Sequence, residues 1–454
     1  MAIQSTNPMT GVVENTFEEL STEQTAKVLS SVSVAFKSWR ESALDHRAEC
    51  LRNLAGILRE RADRFARLMA AEMGKPLNSG RAEVLKAATV CDYYADNGAQ
   101  MLACKDQHVD GMQTYVDYAP MGTVLAVMPW NYPVWQVLRI AVPTLMAGNT
   151  MVLKHASNVP QCAIAIEEAF RDSIFPADAF RTLLIGARQV EDVLGHDSVV
   201  GVCLTGSEDA GRKVAALAGS NLKKSVMELG GSDAFVVLAD ADLDRAAETG
   251  AASRCSNAGQ ACIAAKRFIV HTDVYDDFVS RLKEQMAGLI MGDPLDPETV
   301  MGPMASHRFR AELQEQVNRC RAAGGEVLLG GEIPEGKAAF YPATIISGIP
   351  FESSAAREEL FGPVAMVFRA ESDENAMEMA NDSRFGLGGS VWTQDEKKGL
   401  RLARRIEAGL VYVNGRVSSR PPLPFGGVKN SGYGRELAEY GIREFVNVKS
   451  ICVG

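Results

Sequence analysis

Between Thr123 and Leu229 the chain repeats one pattern: a short apolar run, a turn, and a helical segment. The runs Thr123–Met128, Met151–Leu153, Thr182–Ile185, Val199–Leu204 and Ser225–Leu229 read as strands. Trp135–Met146, Ala163–Phe170, Val190–Gly195 and Ala210–Ala218 read as the helices between them. A strand that is apolar on both faces needs cover on both faces, and alternating helices supply it. The pattern predicts an α/β fold with an open parallel sheet. Ligands of such sheets bind beyond the carboxyl ends of the strands. Pro129–Asn131, Lys154–Ser157 and Thr205–Ser207 fall there. No G-x-G-x-x-G is present, so the usual dinucleotide fingerprint lends no support. Thr205–Gly206–Ser207 does open a helix, where backbone N–H groups can meet phosphate.

A second alternating unit begins at Ala234. Its expected strands are Ala234–Leu238, Phe268–His271, Glu326–Leu329, Val364–Phe368 and Leu410–Asn414. Its expected helices are Leu243–Ser256, Val274–Ile290, Phe309–Ala323, Asn375–Asn381 and Gly399–Ile406. Ahead of both units, residues 1–20 read as irregular or short strands. Ser21 and Gln24 form a capping-box pattern before a helix carrying Val28, Leu29, Val32 and Trp39. One further helix carries Leu51 to Met69 and stops at Gly74 and Pro76; another runs from Arg81 to Gly98. Gln113–Tyr118 and Phe445–Val453 read as strands, the latter an edge that another element, or another subunit, can pair.

The formal charge of −10 and the lack of a long basic run argue against nucleic acid or an anionic membrane as partner. No apolar run reaches the roughly 20 residues of a membrane span. The nine cysteines are scattered without a C-x-x-C pair, which points to a reducing compartment with neither a disulfide framework nor a zinc site. Glu14, Glu18 and Glu19 leave no apolar core for a signal peptide. A cytoplasmic location is expected.

The chemistry centres on Asn257–Arg267, where a tight glycine-containing loop between a helix and a strand carries Cys262 among small residues. A single cysteine is by itself more often a small buried hydrophobe than a nucleophile. Its surroundings change that reading. The segments Met128–Pro129–Trp130–Asn131–Tyr132–Pro133, Lys154, Leu204–Thr205–Gly206–Ser207, Glu228–Leu229–Gly230–Gly231, Gly259–Gln260–Ala261–Cys262, Glu359–Leu360–Phe361–Gly362–Pro363 and Pro424–Phe425–Gly426–Gly427–Val428–Lys429 occur in that order. Together they resemble the NAD(P)-dependent aldehyde dehydrogenase superfamily over nearly the whole chain.

The resemblance implies two Rossmann-like open parallel-sheet domains plus a small oligomerisation β element. The NAD(P)-binding domain would span 1–110 and 123–228, the catalytic domain 229–430, and the oligomerisation element 111–122 and 431–454. It implies a homodimer or homotetramer, with strands near Gln113–Tyr118 and Phe445–Val453 pairing across subunits. It makes Cys262 the nucleophile, Asn131 the oxyanion donor together with the Cys262 backbone N–H, and Glu228 the base that activates water. Trp130 and Lys154 would line the adenosine half of the cofactor site. Thr205, Gly206 and Ser207 would meet the pyrophosphate, and Glu359 and Phe361 the nicotinamide ribose. NAD-preferring members often carry Glu three residues after the Lys. Here that residue is Ser157, which would not repel a 2′-phosphate, so NADP is expected to be preferred over NAD.

Arg139 lies in an otherwise apolar helix, eight residues after Asn131. Its planar fork suits a substrate carboxylate, or alternatively a carboxylate of its own protein. The Trp–Gln–Val–Leu–Arg spacing resembles the succinate-semialdehyde dehydrogenase branch, in which Ser419 would be a second carboxylate contact. Ser418 and Arg420 are further candidates, and the orientation of Arg420 stays open. Succinic semialdehyde is therefore the expected small-molecule substrate, and a neutral aliphatic or amino aldehyde the alternative. A structural protein that has lost catalysis is disfavoured by the joint presence of Cys262, Glu228 and Asn131. CoA-acylating chemistry is disfavoured by Glu228. Ile263 and Ala264 follow Cys262, so no local disulfide switch is expected.

Overall fold

The protein is described by a computed structural model covering residues 3–454; Met1 and Ala2 of the expected N-terminal segment lie outside the described residues. The first alternating unit forms a six-stranded sheet. Its order is Gly432–Tyr433, Lys224–Glu228, Val199–Thr205, Thr123–Met128, Thr150–His155 and Phe180–Thr182. All pairings are parallel except that of Gly432–Tyr433. The chain starts at Thr123–Met128, winds outward to Phe180–Thr182, then returns to lay Val199–Thr205 on the other side. The strand order thus reverses between Thr123–Met128 and Val199–Thr205, which opens a crevice beyond their carboxyl ends.

The second unit forms a seven-stranded sheet, in which only the outermost strand, Glu326–Leu329, is antiparallel. Two of its strands, Thr344–Ser347 and Gly388–Trp392, have no counterpart among the expected elements. Gly388–Trp392 is a fully buried inner strand that opens on two glycines, so it lacks the apolar run that marks its neighbours. In the first sheet the expected strand Thr182–Ile185 ends early. Leu183 still bonds the Leu153 carbonyl (2.7 Å), but the Leu184 carbonyl is taken by the Leu20 amide (2.8 Å) of the N-terminal segment.

Four helices precede the sheets: Thr22–Trp39, Leu44–Glu60, Ala62–Met73 and Leu77–Met101. The single helix expected through Leu51–Met69 is broken at Arg61 (φ −96°, ψ 11°). The apolar spacing hides the break because both pieces bury their faces against Leu77–Met101. These helices also solve a problem for the sheet helices. Trp135–Met146 is buried on every side, so water cannot satisfy its first N–H groups. Glu83 Oε1 accepts from the amides of Val134 (2.9 Å) and Trp135 (3.0 Å) instead. Glu72 does the same for Gln161 (2.8 Å) and Cys162 (2.9 Å) at the start of Pro160–Arg171. A carboxylate is favoured at a helix N-terminus by the helix dipole as well.

Lys105–Val109, Met112–Pro120 and Val446–Val453 make a three-stranded antiparallel sheet. The terminal strand pairs with Met112–Pro120 of its own chain, from Val446 opposite Pro120 to Val453 opposite Gln113. Two segments cross the expected domain boundaries. Lys105–Val109 joins the three-stranded sheet, and Gly432–Tyr433 joins the six-stranded one. Buried Asn149 explains how the tail docks. Its Oδ1 accepts from the amides of Met121 (2.7 Å) and Gly122 (3.0 Å), and its Nδ2 donates to the Phe445 carbonyl (2.8 Å). Asn149→Ala strands these buried partners, each at about 1–3 kcal/mol. Urea unfolding is expected to show a loss of about 3 kcal/mol; a loss under about 1 kcal/mol would contradict this role for Asn149.

Candidate active site

The helix Leu243–Cys255 runs into a turn where Asn257, Ala258 and Gly259 take successive left-handed conformations (φ 56°, 50° and 71°). Such backbone costs about 1–2 kcal/mol per non-glycine residue, so it persists only where the surroundings hold it. Arg254 donates to the Gly259 carbonyl, and Gln260 Nε2 to the Asn257 carbonyl (3.0 Å). Lys266 Nζ, fully buried, donates to the carbonyls of Ala261 (3.0 Å) and Cys262 (2.7 Å). Glycine is required at 259 twice over, because a Cβ there would also run into the Gly362 backbone.

Asn131 fastens this loop to the first sheet. Its Nδ2 donates to the Gln260 carbonyl (2.9 Å). Its own carbonyl accepts from Asn257 Nδ2 (2.9 Å) and from Lys75 Nζ (2.8 Å). Lys75 is buried and ion-paired with Glu83, the residue that caps Trp135–Met146.

Cys262 stands between two cavities and lines both. The smaller, about 290 Å³, occupies the crevice of the six-stranded sheet. Trp130, Asn131, Thr205, Gly206 and Ser207 line it from one side, Glu359 and Phe361 from the other. Trp130 stacks on Phe309 (ring centroids 4.7 Å apart) and meets Phe361 edge-on (5.8 Å). The Thr205 hydroxyl is buried without a partner among the described residues, and Ser207 caps the helix Glu208–Ser220. An aromatic wall, an unpartnered hydroxyl and a helix N-terminus suit a flat ring joined to phosphate. Lys154 and Ser157 do not line this cavity. Lys154 is buried one strand away, where burial lowers its pKa against the opposing field of Glu19. Ser157 is exposed in the loop that follows.

The larger cavity, about 570 Å³, lies on the other side of Cys262 and is lined by Lys86, Trp135, Gln136, Arg139, Ser419 and Phe425 among others. Arg139 is buried, its Nε is ion-paired with Glu436, and its guanidinium lies 4.2 Å over the Phe425 ring. Its Nη2 has no partner among the described residues. Ser419 accepts from Lys86 Nζ (2.9 Å) and Trp135 Nε1 (3.1 Å). Ser418 and Arg420 also face this space, and Arg420 is exposed at its mouth.

Glu228 does not line either cavity. It is buried at the end of Lys224–Glu228, packed against Gly426, and neither carboxylate oxygen has a partner among the described residues. Burial first and the nearby Glu436 second push its pKa well above the carboxylate range, against the pull of Arg139 and Arg435. Burial likewise pushes the Cys262 thiol up to about 11; Lys266 and Arg139 pull it down, while Glu359 and Asp233 raise it. Lys75, Lys86, Glu83 and Glu436 escaped the sequence reading because nothing local marks them. Lys266 carried a usable signal, a cation four residues after the thiol.

The aldehyde dehydrogenase family model matches residues 1–451. The chain belongs to the aldehyde dehydrogenase family. It is 47% identical over 458 residues to an NADP(+) succinate-semialdehyde dehydrogenase 1 of Mycobacterium ulcerans, covering 100% of both chains. It is 46% identical over 455 residues to an aldehyde dehydrogenase of Paenarthrobacter nicotinovorans, covering 99% of both. Among solved structures it is similar to succinic semialdehyde dehydrogenase from Streptococcus pyogenes in complex with NADP+ (TM-score 0.97, 39% identity, 99% of both chains). It also matches Gox0499, a structure concerned with cofactor and substrate selection (TM-score 0.99, 39% identity, 100% of both chains). Among the described residues of this dehydrogenase, no helix is long and apolar enough to cross a membrane.

A thiol held near 11 reacts mainly through its small thiolate fraction at neutral pH. Alkylation of Cys262 by iodoacetamide in the cofactor-free dehydrogenase is therefore expected to quicken about tenfold per pH unit from 7 to 10. A plateau below pH 8, with the modified peptide mapped by mass spectrometry, would contradict this.

Proposed function

We propose that this dehydrogenase oxidises succinic semialdehyde to succinate, with NADP as the preferred acceptor and NAD as the weaker one. One observation carries the substrate: the cavity opposite the dinucleotide crevice shares Cys262 with it, and its walls bear Lys86, Arg139, Arg416 and Arg420. Cations on the wall hold a carboxylate by charge-assisted hydrogen bonds, repel an amino aldehyde, and give a neutral aldehyde nothing. The names of the Mycobacterium ulcerans and Streptococcus pyogenes relatives support the same substrate and cofactor. Ser419 and the free Nη2 of Arg139 face the carboxylate in this reading.

Cys262 attacks the aldehyde carbon as its thiolate, which Lys266 favours. The second N–H of Asn131 and the Cys262 amide then receive the oxyanion. A bound NADP would supply the acceptor for the hydride that the thiohemiacetal carbon loses as it becomes a thioester on Cys262. Trp130, Thr205, Gly206, Ser207, Glu359 and Phe361 would hold that cofactor, with Lys154 and Ser157 beyond the cavity at its phosphorylated ribose. Glu228 turns from Gly426 toward Cys262 and takes a proton from the water that hydrolyses the thioester. Its raised pKa makes the basic form scarcer at neutral pH, so deacylation speeds up as pH rises.

The first sheet with its helices, within 1–110 and 123–228 and joined by the strand Gly432–Tyr433, serves as the NADP-binding domain and 229–430 as the catalytic domain, while Lys105–Val109 goes with the assembly segments. Segments 111–122 and 431–454 assemble subunits. The exposed strand Lys105–Val109 and the mostly exposed Val446–Val453 offer the edges for a homodimer or homotetramer. Nine cysteines, none of them paired among the described residues, suit a reducing cytoplasm.

Initial rates with succinic semialdehyde and with butanal, matched in carbon count, test this reading. With NADP the carboxylated aldehyde is expected to win by about tenfold or more in kcat/KM. NADP is expected to outperform NAD. Equal rates with both aldehydes would overturn the substrate assignment, and equal rates with both cofactors the NADP preference.

A further inference from the structure

Three cations reach into the interior of the larger cavity: Lys75, Lys86 and Arg139. Lys75 is committed to Glu83 and the Asn131 carbonyl. Arg139 is ion-paired with Glu436. Lys86, half-buried on the helix Leu77–Met101, has no carboxylate within ion-pair distance among the described residues. Among the described residues its ammonium donates to the Ser419 hydroxyl alone (2.9 Å) and lies 4.1 Å over the Trp135 ring. An ammonium has three donors, so two remain.

The Ser419 hydroxyl is constrained from the other direction. It has two acceptor sites and one O–H. Lys86 and Trp135 fill both acceptor sites, so the O–H must be given to something else. A lysine with two unused N–H bonds and a serine forced to donate thus stand side by side in the cavity that also holds Cys262. Those are the requirements of one carboxylate.

We propose that Lys86 is a specificity-determining residue of this dehydrogenase: with the Ser419 hydroxyl it forms the anion subsite that receives the carboxylate of the substrate. The inference rests on the carboxylated-aldehyde reading above and adds a second cation, beside Arg139, to the holding of that carboxylate. The groups that face Lys86 are Arg139 from the helix Trp135–Met146, Glu83 from its own helix, and Arg416 and Arg420 from the loop before Pro421. Burial first, then the arginines, bring its pKa down to about 8, with Glu83 opposing. Carboxylate binding through Lys86 is therefore full below about pH 8 and weakens above it.

The test compares wild type, Lys86→Met and Lys86→Arg with succinic semialdehyde and butanal. Lys86→Met is expected to lower the ratio of kcat/KM for the two aldehydes by about tenfold or more, mainly through KM for the carboxylated one. Lys86→Arg is expected to restore much of it. A ratio in Lys86→Met within threefold of a strongly selective wild type would overturn the role of Lys86 while leaving the substrate reading intact. A wild type without selectivity would overturn both. Inhibition of the wild-type enzyme by succinate provides a second measurement if Lys86→Met does not fold. Its inhibition constant is expected to rise about tenfold per pH unit above about pH 8; a constant value up to pH 10 would overturn the assignment.

Discussion

Lys75 holds the backbone carbonyl of Asn131, and the placement of both halves of the active site depends on that contact. The carbonyl is shared with Asn257 of the Cys262 loop, while the Asn131 side chain reaches Gln260 of the same loop. One residue of the first sheet is thereby locked to the reactive loop of the second. Lys75 would be costly to bury alone, and Glu83 offsets that cost. Glu83 in turn satisfies the start of Trp135–Met146, the helix that carries Gln136 and Arg139 into the substrate cavity. An N-terminal helical segment remote in sequence thus fixes Cys262, Asn131 and the cavity wall that carries Arg139 together.

The charges sort themselves around this knot. Cations line the space where an anionic substrate would lie, and the carboxylates Glu228 and Glu436 are withdrawn behind Arg139. Burial pushes both the Cys262 thiol and the Glu228 carboxyl toward their protonated forms. A thiol kept protonated is protected from stray alkylation and oxidation, because the thiolate is the reactive species. Reaction then requires charge rearrangement within the site, with Lys266 the cation that most favours a developing thiolate.

Much of this was legible in the chain itself. The strands Thr123–Met128, Thr150–His155 and Val199–Thr205 are apolar on both faces, and that alone placed Pro129–Asn131 and Thr205–Ser207 at the mouth of the crevice. Gly388–Trp392 was hidden because a strand opening on two glycines has no apolar signature. The break at Arg61 was hidden because both helices keep one apolar face on one partner. In the site, Cys262 and Asn131 carry sequence motifs, but Lys75, Glu83 and Lys86 act through contacts with residues tens to hundreds of positions away. Side-chain direction was equally out of reach. Neither the pairing of Arg139 with Glu436 nor the position of Glu228 against Gly426 follows from spacing.

The central claim is a covalent route through Cys262 that Glu228 completes. Glu228→Gln enzyme mixed with NADP and succinic semialdehyde, quenched within seconds and examined by peptide mass spectrometry, tests it most directly. The account predicts a succinyl group accumulating as a thioester on the peptide that carries Cys262, with NADPH released in a burst of one equivalent or less per site. An unmodified Cys262, or a succinyl group on another cysteine, would contradict it.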